Sequence, residues 1–223
     1  MEKYKVDFGE TSHFKGITIS YDHIEEGLDF AQKNNINEVC ISTDDIDTKQ
    51  VVNFDFLKGR NFITTFHWLV PLAKKSNITG LYNLSGLEDF RWSAGTDFNL
   101  DLSKIPNLKI LNIGYYKGLE GWENLKSLNR LLIGNVKTDD LSFLSETVNL
   151  EFLRIIRGTF ISVKGIEKCS KLKTVFIQSC NSLIHVKETI KQMKSIENLL
   201  LEKCKNVDLE GIELLGLKNI SVI

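Results

Sequence analysis

Leu108-Lys109-Ile110-Leu111-Asn112-Ile113 holds the pattern that decides the fold. It reads apolar-x-x-apolar-x-apolar. The same phrase starts again at Leu87, Leu128, Leu150, Leu172, Ile196 and Leu217, so with Leu108 the spacings are 21, 20, 22, 22, 24 and 21 residues. A period in this range marks a solenoid, in which each repeat buries its apolar side only against its neighbours. The functional question therefore concerns a surface before it concerns a pocket.

Two further copies extend the series toward the N-terminus. Ile36-Asn37-Glu38-Val39-Cys40-Ile41 is the first and weaker one, and Ile63-Thr64-Thr65-Phe66-His67-Trp68 is the second. A register beginning at Phe62 would place Thr65 and His67 in the apolar layer, where their hydrogen bonds would go unmet, so the Ile63 register is preferred. Counted from Ile36, nine parallel strands are expected, stacked over roughly 40 Å at the usual strand spacing. The first 35 residues do not fit the phrase. Gly16–Tyr21 alternates as a strand does. Asp22 is expected to cap a helix with Glu25 in capping-box position, and Ile24, Leu28 and Ala31 share one helical face up to Asn34-Asn35. Residues 1–35 are thus read as a strand-helix cap and 36–223 as the repeat body.

Between the strands lie short stretches such as Asp101-Leu102-Ser103-Lys104-Ile105 and Val163-Lys164-Gly165-Ile166. Each offers two apolar side chains about three residues apart, which suits a single 3₁₀ turn. About ten residues cannot hold a long helix and two turns as well. The fold class expected is an α/β solenoid with a parallel sheet inside and short 3₁₀ or irregular segments outside.

At this point the chain resembles the leucine-rich repeat family, whose phrase is L-x-x-L-x-L-x-x-N/C. The resemblance covers roughly residues 36–223 and is closest to short bacterial repeats of the internalin kind and to those of cytoplasmic phosphatase regulators. It implies a curved horseshoe with the parallel sheet on its concave side. It also implies that Cys180 and Cys204, at the N/C position, bond turn backbone inside the core. Tyr116, Val136 and Thr159 stand where asparagine is expected, which predicts looser turns. Members of the family mostly bind proteins on the concave sheet; that expectation is analogy, since fold does not fix function.

Composition narrows the choices. The net charge of −1 is not that of a general nucleic-acid binder. The four cysteines form no C-x-x-C pair and no zinc-like group, so reduced, buried thiols and no cofactor are expected. No stretch approaches the roughly 18 apolar residues needed to cross a bilayer. The N-terminus lacks the apolar core of a leader, so the chain is expected in the cytoplasm unless a leader has been removed. Its richness in Lys, Asn and Ile is that of a low-G+C bacterial source.

Strand alternation then assigns a face. The first, fourth and sixth residues of each phrase point to the core, and the third, fifth and seventh point outward. Four of the five arginines, Arg91, Arg130, Arg154 and Arg157, fall on the outward strip or at its exit. Phe152, Phe176, Leu132 and Ile156 lie among them, with Asn112, Tyr115 and Gln178 alongside. Arginine beside exposed apolar groups is the composition of an interface hot spot. The expected site is a docking face for a protein partner of acidic character. A plainer reading is that these arginines lay their stems over apolar neighbours and stabilise an idle sheet. Arg154 and Arg157 also allow a phosphate clamp, but Glu38, Asp89 and Glu202 break the continuous positive stripe that nucleic acid needs.

Nothing in the sequence forms a catalytic motif. The histidines at 13, 23, 67 and 185 are far apart, and neither a nucleophile elbow nor a phosphate loop is present. The chain is therefore expected not to be an enzyme. Three other readings stay open: an immunity or regulatory subunit acting on an enzyme or toxin, a segment of a larger surface adhesion protein, and an enzyme with an unrecognised site, which a deep pocket joining His67 and Asp89 would favour. The last phrase, Leu217 to Ile223, ends without a polar cover, and a two-fold, end-to-end homodimer is one association that edge allows.

Overall fold

The computed structural model describes residues 2–223. They form two compact units, one ending at Leu100 and one from Asp101–Ile223.

In the first unit, strand β1 (Tyr4–Asp7) runs antiparallel to β2 (Gly16–Ser20), with Tyr4 opposite Ile19 and Val6 opposite Ile17. Helix α1 (Ile24–Lys33) follows. Strands β3 (Glu38–Ser42), β4 (Thr65–Trp68) and β5 (Asp89–Trp92) then add in parallel to β2. The register sets Val39 beside Phe66 and Phe90, and Ile41 beside Trp68 and Trp92. Those core-facing side chains are buried, as is Ile63, so the Ile63 register holds. Trp68 donates its indole N–H to the Val70 carbonyl at 2.7 Å, which satisfies its one polar atom in the core. Gly27 lets α1 approach closely: a Cβ there would stand 2.5 Å from Cγ2 of Ile19.

Two expectations need correction. Tyr4–Asp7 is a strand that the short, polar N-terminal stretch did not reveal. The helix does not begin on an Asp22 capping box. A 3₁₀ turn, Tyr21–His23, leads into it, and His23 is the N-cap with no side-chain bond. Asp22 lies inside that turn and is no longer placed to receive the amides of the helix's first turn. The far end is as expected, with Asn34 closing the helix and donating its side chain to the Phe30 carbonyl.

Strand β6 (Leu100–Asp101) falls at the division between the units. The second unit carries β7 (Ile110–Gly114), the two-residue β8 (Leu119–Glu120), β9 (Arg130–Val136), β10 (Phe152–Gly158), β11 (Thr174–Gln178), β12 (Asn198–Glu202) and β13 (Asn219–Val222). Strands β7, β9, β10, β11, β12 and β13 are parallel neighbours in that order. Leu111, Leu131, Leu153, Val175, Leu199 and Ile220 stand side by side in register. All but Ile220 are at most 1% exposed. The segments returning from strand to strand make 3₁₀ turns at Leu102–Lys104, Trp122–Asn124, Ser142–Leu144, Ile166–Lys168 and Ile212–Leu215. The 24-residue repeat holds a short α-helix instead, α2 (Lys187–Ile190). Gly165 enters its turn at φ 108°, and a Cβ would stand 2.5 Å from Cα of Ser142 in the preceding coil, so only glycine fits.

Of the two cysteines at the turn position, Cys180 is buried as the resemblance implied, whereas Cys204 is half-buried. Cys180 Sγ lies 3.5 Å from the Gln178 carbonyl, and Cys204 Sγ lies 3.5 Å from that of Ile177. Both thiols are weak donors, here to carbonyls at the end of β11 and not to turn backbone.

Candidate functional site

Alternation along β7 to β11 turns one set of side chains away from the core. Asn112, Arg130, Leu132, Phe152, Arg154, Ile156, Phe176 and Gln178 are all exposed or half-buried, while their chain neighbours Leu111, Leu131, Leu153, Ile155, Val175 and Ile177 are buried. The parallel register lines the outward residues into columns. Arg130, Phe152 and Thr174 share one column; Leu132, Arg154, Phe176 and Leu200 share the next.

Within the columns the arginines lie on aromatic rings. The Arg130 guanidinium stands 4.1 Å from the Phe152 ring centre, and that of Arg154 stands 4.8 Å from the Phe176 centre. Both are cation–π distances. Arg154 also donates to the Gln178 side-chain carbonyl at 2.9 Å, and Gln178 donates to Glu202 at 2.9 Å. The stack thus fixes where each guanidinium lies and leaves part of its N–H fork unused.

Among the described residues, none of Arg91, Arg130, Arg154 and Arg157 has a carboxylate within 4.0 Å. Arg60, the one arginine off the strip, shows the opposite: it pairs with Asp29 at 2.5 Å and Glu25 at 3.5 Å of α1 and donates to Gln32. Acidic side chains thus meet arginine where it ties the chain to α1, while the four arginines of the strip have none within 4.0 Å.

Three predicted residues stand apart from this stack. Tyr115 turns its ring to Phe143 in a return segment, at 5.2 Å, and touches neither arginine stack. Arg157 is exposed with a left-handed backbone, φ 64°, and borders a groove at the strand exits. Arg91 is on β5 of the first unit, beside His67.

On that first unit the outward face differs. His67 Nε2 is 3.2 Å from Asp89 Oδ1, and the Phe14 ring lies 4.9 Å from the His67 ring. Cys40, the register neighbour of His67, holds an outward position of its phrase, yet it is only 3% exposed, a buried thiol as the cysteine count led one to expect. Cys40 stands between Thr18 of β2 and His67 of β4 in register, and the Phe14 ring on His67 comes from the connection between β1 and β2. Burial pushes the Cys40 thiol up to about 11, against the opposing pull of Arg91. Burial, with the neighbouring Cys204, pushes Cys180 up to about 12. Both thiols are protonated near neutral pH.

Among the described residues no group of three His, Cys, Asp or Glu side chains is placed to hold a metal ion, and no helix is long and apolar enough to cross a membrane.

No protein-family model and no curated protein matches the sequence. Solved structures do resemble it. An internalin from Listeria monocytogenes matches at TM-score 0.57 and 15% identity, over 90% of this chain and 69% of that one. A leucine-rich repeat protein from Leptospira interrogans matches at 0.51 and 15%, over 78% of this chain and 50% of the other. A chain of the Drosophila Toll–Spätzle complex matches at 0.51 and 11%, over 74% of this chain and 23% of its own length.

Proposed function

Because the chain has the leucine-rich repeat fold, we propose that it is a non-catalytic interaction module that docks an acidic protein partner on the outward face of β9, β10 and β11. One observation carries this reading: Arg130 and Arg154 are held on Phe152 and Phe176 with no carboxylate beside them. A stacked guanidinium has already lost much of its rotamer freedom, so less entropy is lost when a partner carboxylate meets its fork. The phenyl rings, Leu132 and Ile156 supply apolar area between the charges, which is how interface anchors are built. The internalin and Toll–Spätzle likenesses support a binding role by analogy of fold. In this reading residues 1–35 cover one end of the repeats, and 36–223 present the strands. The four free cysteines support a reducing, cytoplasmic setting. Leu214, Val222 and Ile223, at 81%, 47% and 82% exposure, support β13 as the edge where a second copy would pair.

The test uses the full chain against an Arg130→Glu/Arg154→Glu variant. The variant is expected to lose the partner that the unaltered protein co-purifies, and association of the unaltered pair is expected to slow as salt rises. Equal recovery by both proteins, checked by equal thermal stability, removes the face from consideration. Sedimentation of an Ile220→Lys variant checks the edge: a dimer that persists unchanged excludes pairing through β13.

A further inference from the structure

A second surface lies at the strand exits of the same unit. A groove of about 460 Å³ crosses three successive coils there, lined by Asn135, Lys137, Arg157, Thr159, Ser179 and Ser182 among others. Among the described residues, the charged groups lining it are the two cations Lys137 and Arg157, with no carboxylate in the lining. None of these six side chains has a hydrogen-bond or ion-pair partner within the described protein. Hydroxyl, amide, ammonium and guanidinium groups thus border one open groove, Asn135, Lys137, Arg157 and Thr159 exposed and Ser179 and Ser182 half-buried.

The backbone adds a second line of argument. Asn135, Arg157 and Ser179 occupy equivalent positions in consecutive coils, all left-handed, at φ 57°, 64° and 58°. Asparagine or glycine takes that conformation most easily. The middle coil nonetheless carries an arginine, whose fork has no task in holding the fold.

We propose that this groove receives the phosphate monoester of a phosphorylated polypeptide. A phosphoryl group brings nearly two negative charges and three strong acceptor oxygens, which matches two cations flanked by hydroxyls better than a single carboxylate does. A nucleic-acid backbone is disfavoured because the chain's net charge is −1 and the cations here form a point rather than a stripe. The proposal does not depend on the arginine–phenylalanine face.

The test is a titration of the isotope-labelled full chain, followed through the backbone amides of Thr159, Ser179 and Ser182. The probes are N-acetyl-phosphoserine methylamide, inorganic phosphate, N-acetyl-glutamate methylamide and a short oligothymidylate. Saturable shifts are expected with the phosphoserine compound, at least about tenfold weaker with the glutamate compound, the scale of one charge-assisted hydrogen bond. A Lys137→Gln/Arg157→Asn variant keeps a residue tolerant of the left-handed backbone and is expected to bind at least about tenfold more weakly. The Arg130→Glu/Arg154→Glu variant is expected to titrate as the unaltered protein does, so the two sites fail separately. No saturable shift, equal binding of glutamate, tighter binding of inorganic phosphate than of phosphoserine, displacement by oligothymidylate, or an unweakened Lys137/Arg157 variant would each overturn the proposal.

Discussion

In the unit ending at Leu100 the protein's own chain meets part of the strand face: Phe14 lies on His67, Asp89 stands 3.2 Å from His67, and Cys40 beside it is buried. In the unit from Asp101 the equivalent positions hold Arg130 on Phe152 and Arg154 on Phe176, with no acid beside them. The core rule is the same in both, because the first, fourth and sixth residues of each phrase are buried from Ile36 to Leu201. What differs is the kind of contact the outward residues make: His67 meets a ring and a carboxylate, whereas Arg130 and Arg154 lie on rings with no carboxylate within 4.0 Å. In the proposed reading, the first face is partly met by the chain that builds it, and the second is left for a partner.

The shared half of that comparison predicts the largest effects. Phe90→Ala in the first unit and Leu153→Ala in the second remove the fourth residue of their phrases, both 0% exposed. Losses of about 3–5 and about 2–5 kcal/mol are expected in denaturant unfolding, from lost transfer energy plus the cavity left behind. A loss well under 1 kcal/mol at either site would break the idea of one core rule. Next comes the outward difference: Arg130→Glu/Arg154→Glu is expected to weaken partner binding by about 2 kcal/mol or more, the scale of hot-spot residues, and Arg91→Glu by far less. Equal losses in a binding assay would erase the distinction between the faces.

A smaller effect tests the cover. His67→Ala, beside Cys40 on β4, should let water reach Cys40 and bring its thiol from about 11 back toward 9.0. Thiolate rises with that fall while intrinsic nucleophilicity drops, so alkylation near pH 8 should speed up by about tenfold. In the unaltered protein the raised value favours the folded state fully below pH 9.0, and that contribution is lost as pH rises through about 11. Cys40→Ala should remove this alkaline loss in stability measurements at pH 8 and pH 11. The smallest effect concerns the strand exits. Left-handed Asn135, Arg157, Ser179 and Lys203 repeat down the second unit at the eighth phrase position, whereas Thr43, Val70 and Ala94 in the first unit do not take it. Lys203→Gly should stabilise by about 0.5–1 kcal/mol, read as a rise in melting temperature.

The periodicity made the core legible because three apolar positions per repeat leave little choice of register. It also gave the outward columns, since Arg130 and Phe152 hold the same phrase position, as do Arg154 and Phe176. Their stacking follows once the strands are parallel and in step. The parts that escaped depend on contacts between distant or aperiodic residues. Strand β1 is four residues of mixed character, and only its pairing with β2 defines it. Phe14 reaches His67 across 53 positions of sequence. Tyr115 was assigned outward by counting, but the chain has left the strand by then and its ring finds Phe143. The exit groove unites residues from three coils, and its left-handed backbone is written in Asn135 alone, because Arg157 and Ser179 carry no such signal.

The 24-residue repeat between Leu172 and Ile196 has a consequence for how this chain can change. Its extra length is taken up by α2, while β11 and β12 keep five residues in unbroken register, from Thr174 beside Asn198 to Gln178 beside Glu202. Insertions and deletions are therefore absorbed on the return path, out of reach of the strand face. Descendants of this sequence can gain or lose a helical turn behind the sheet without rewriting what is displayed in front of it.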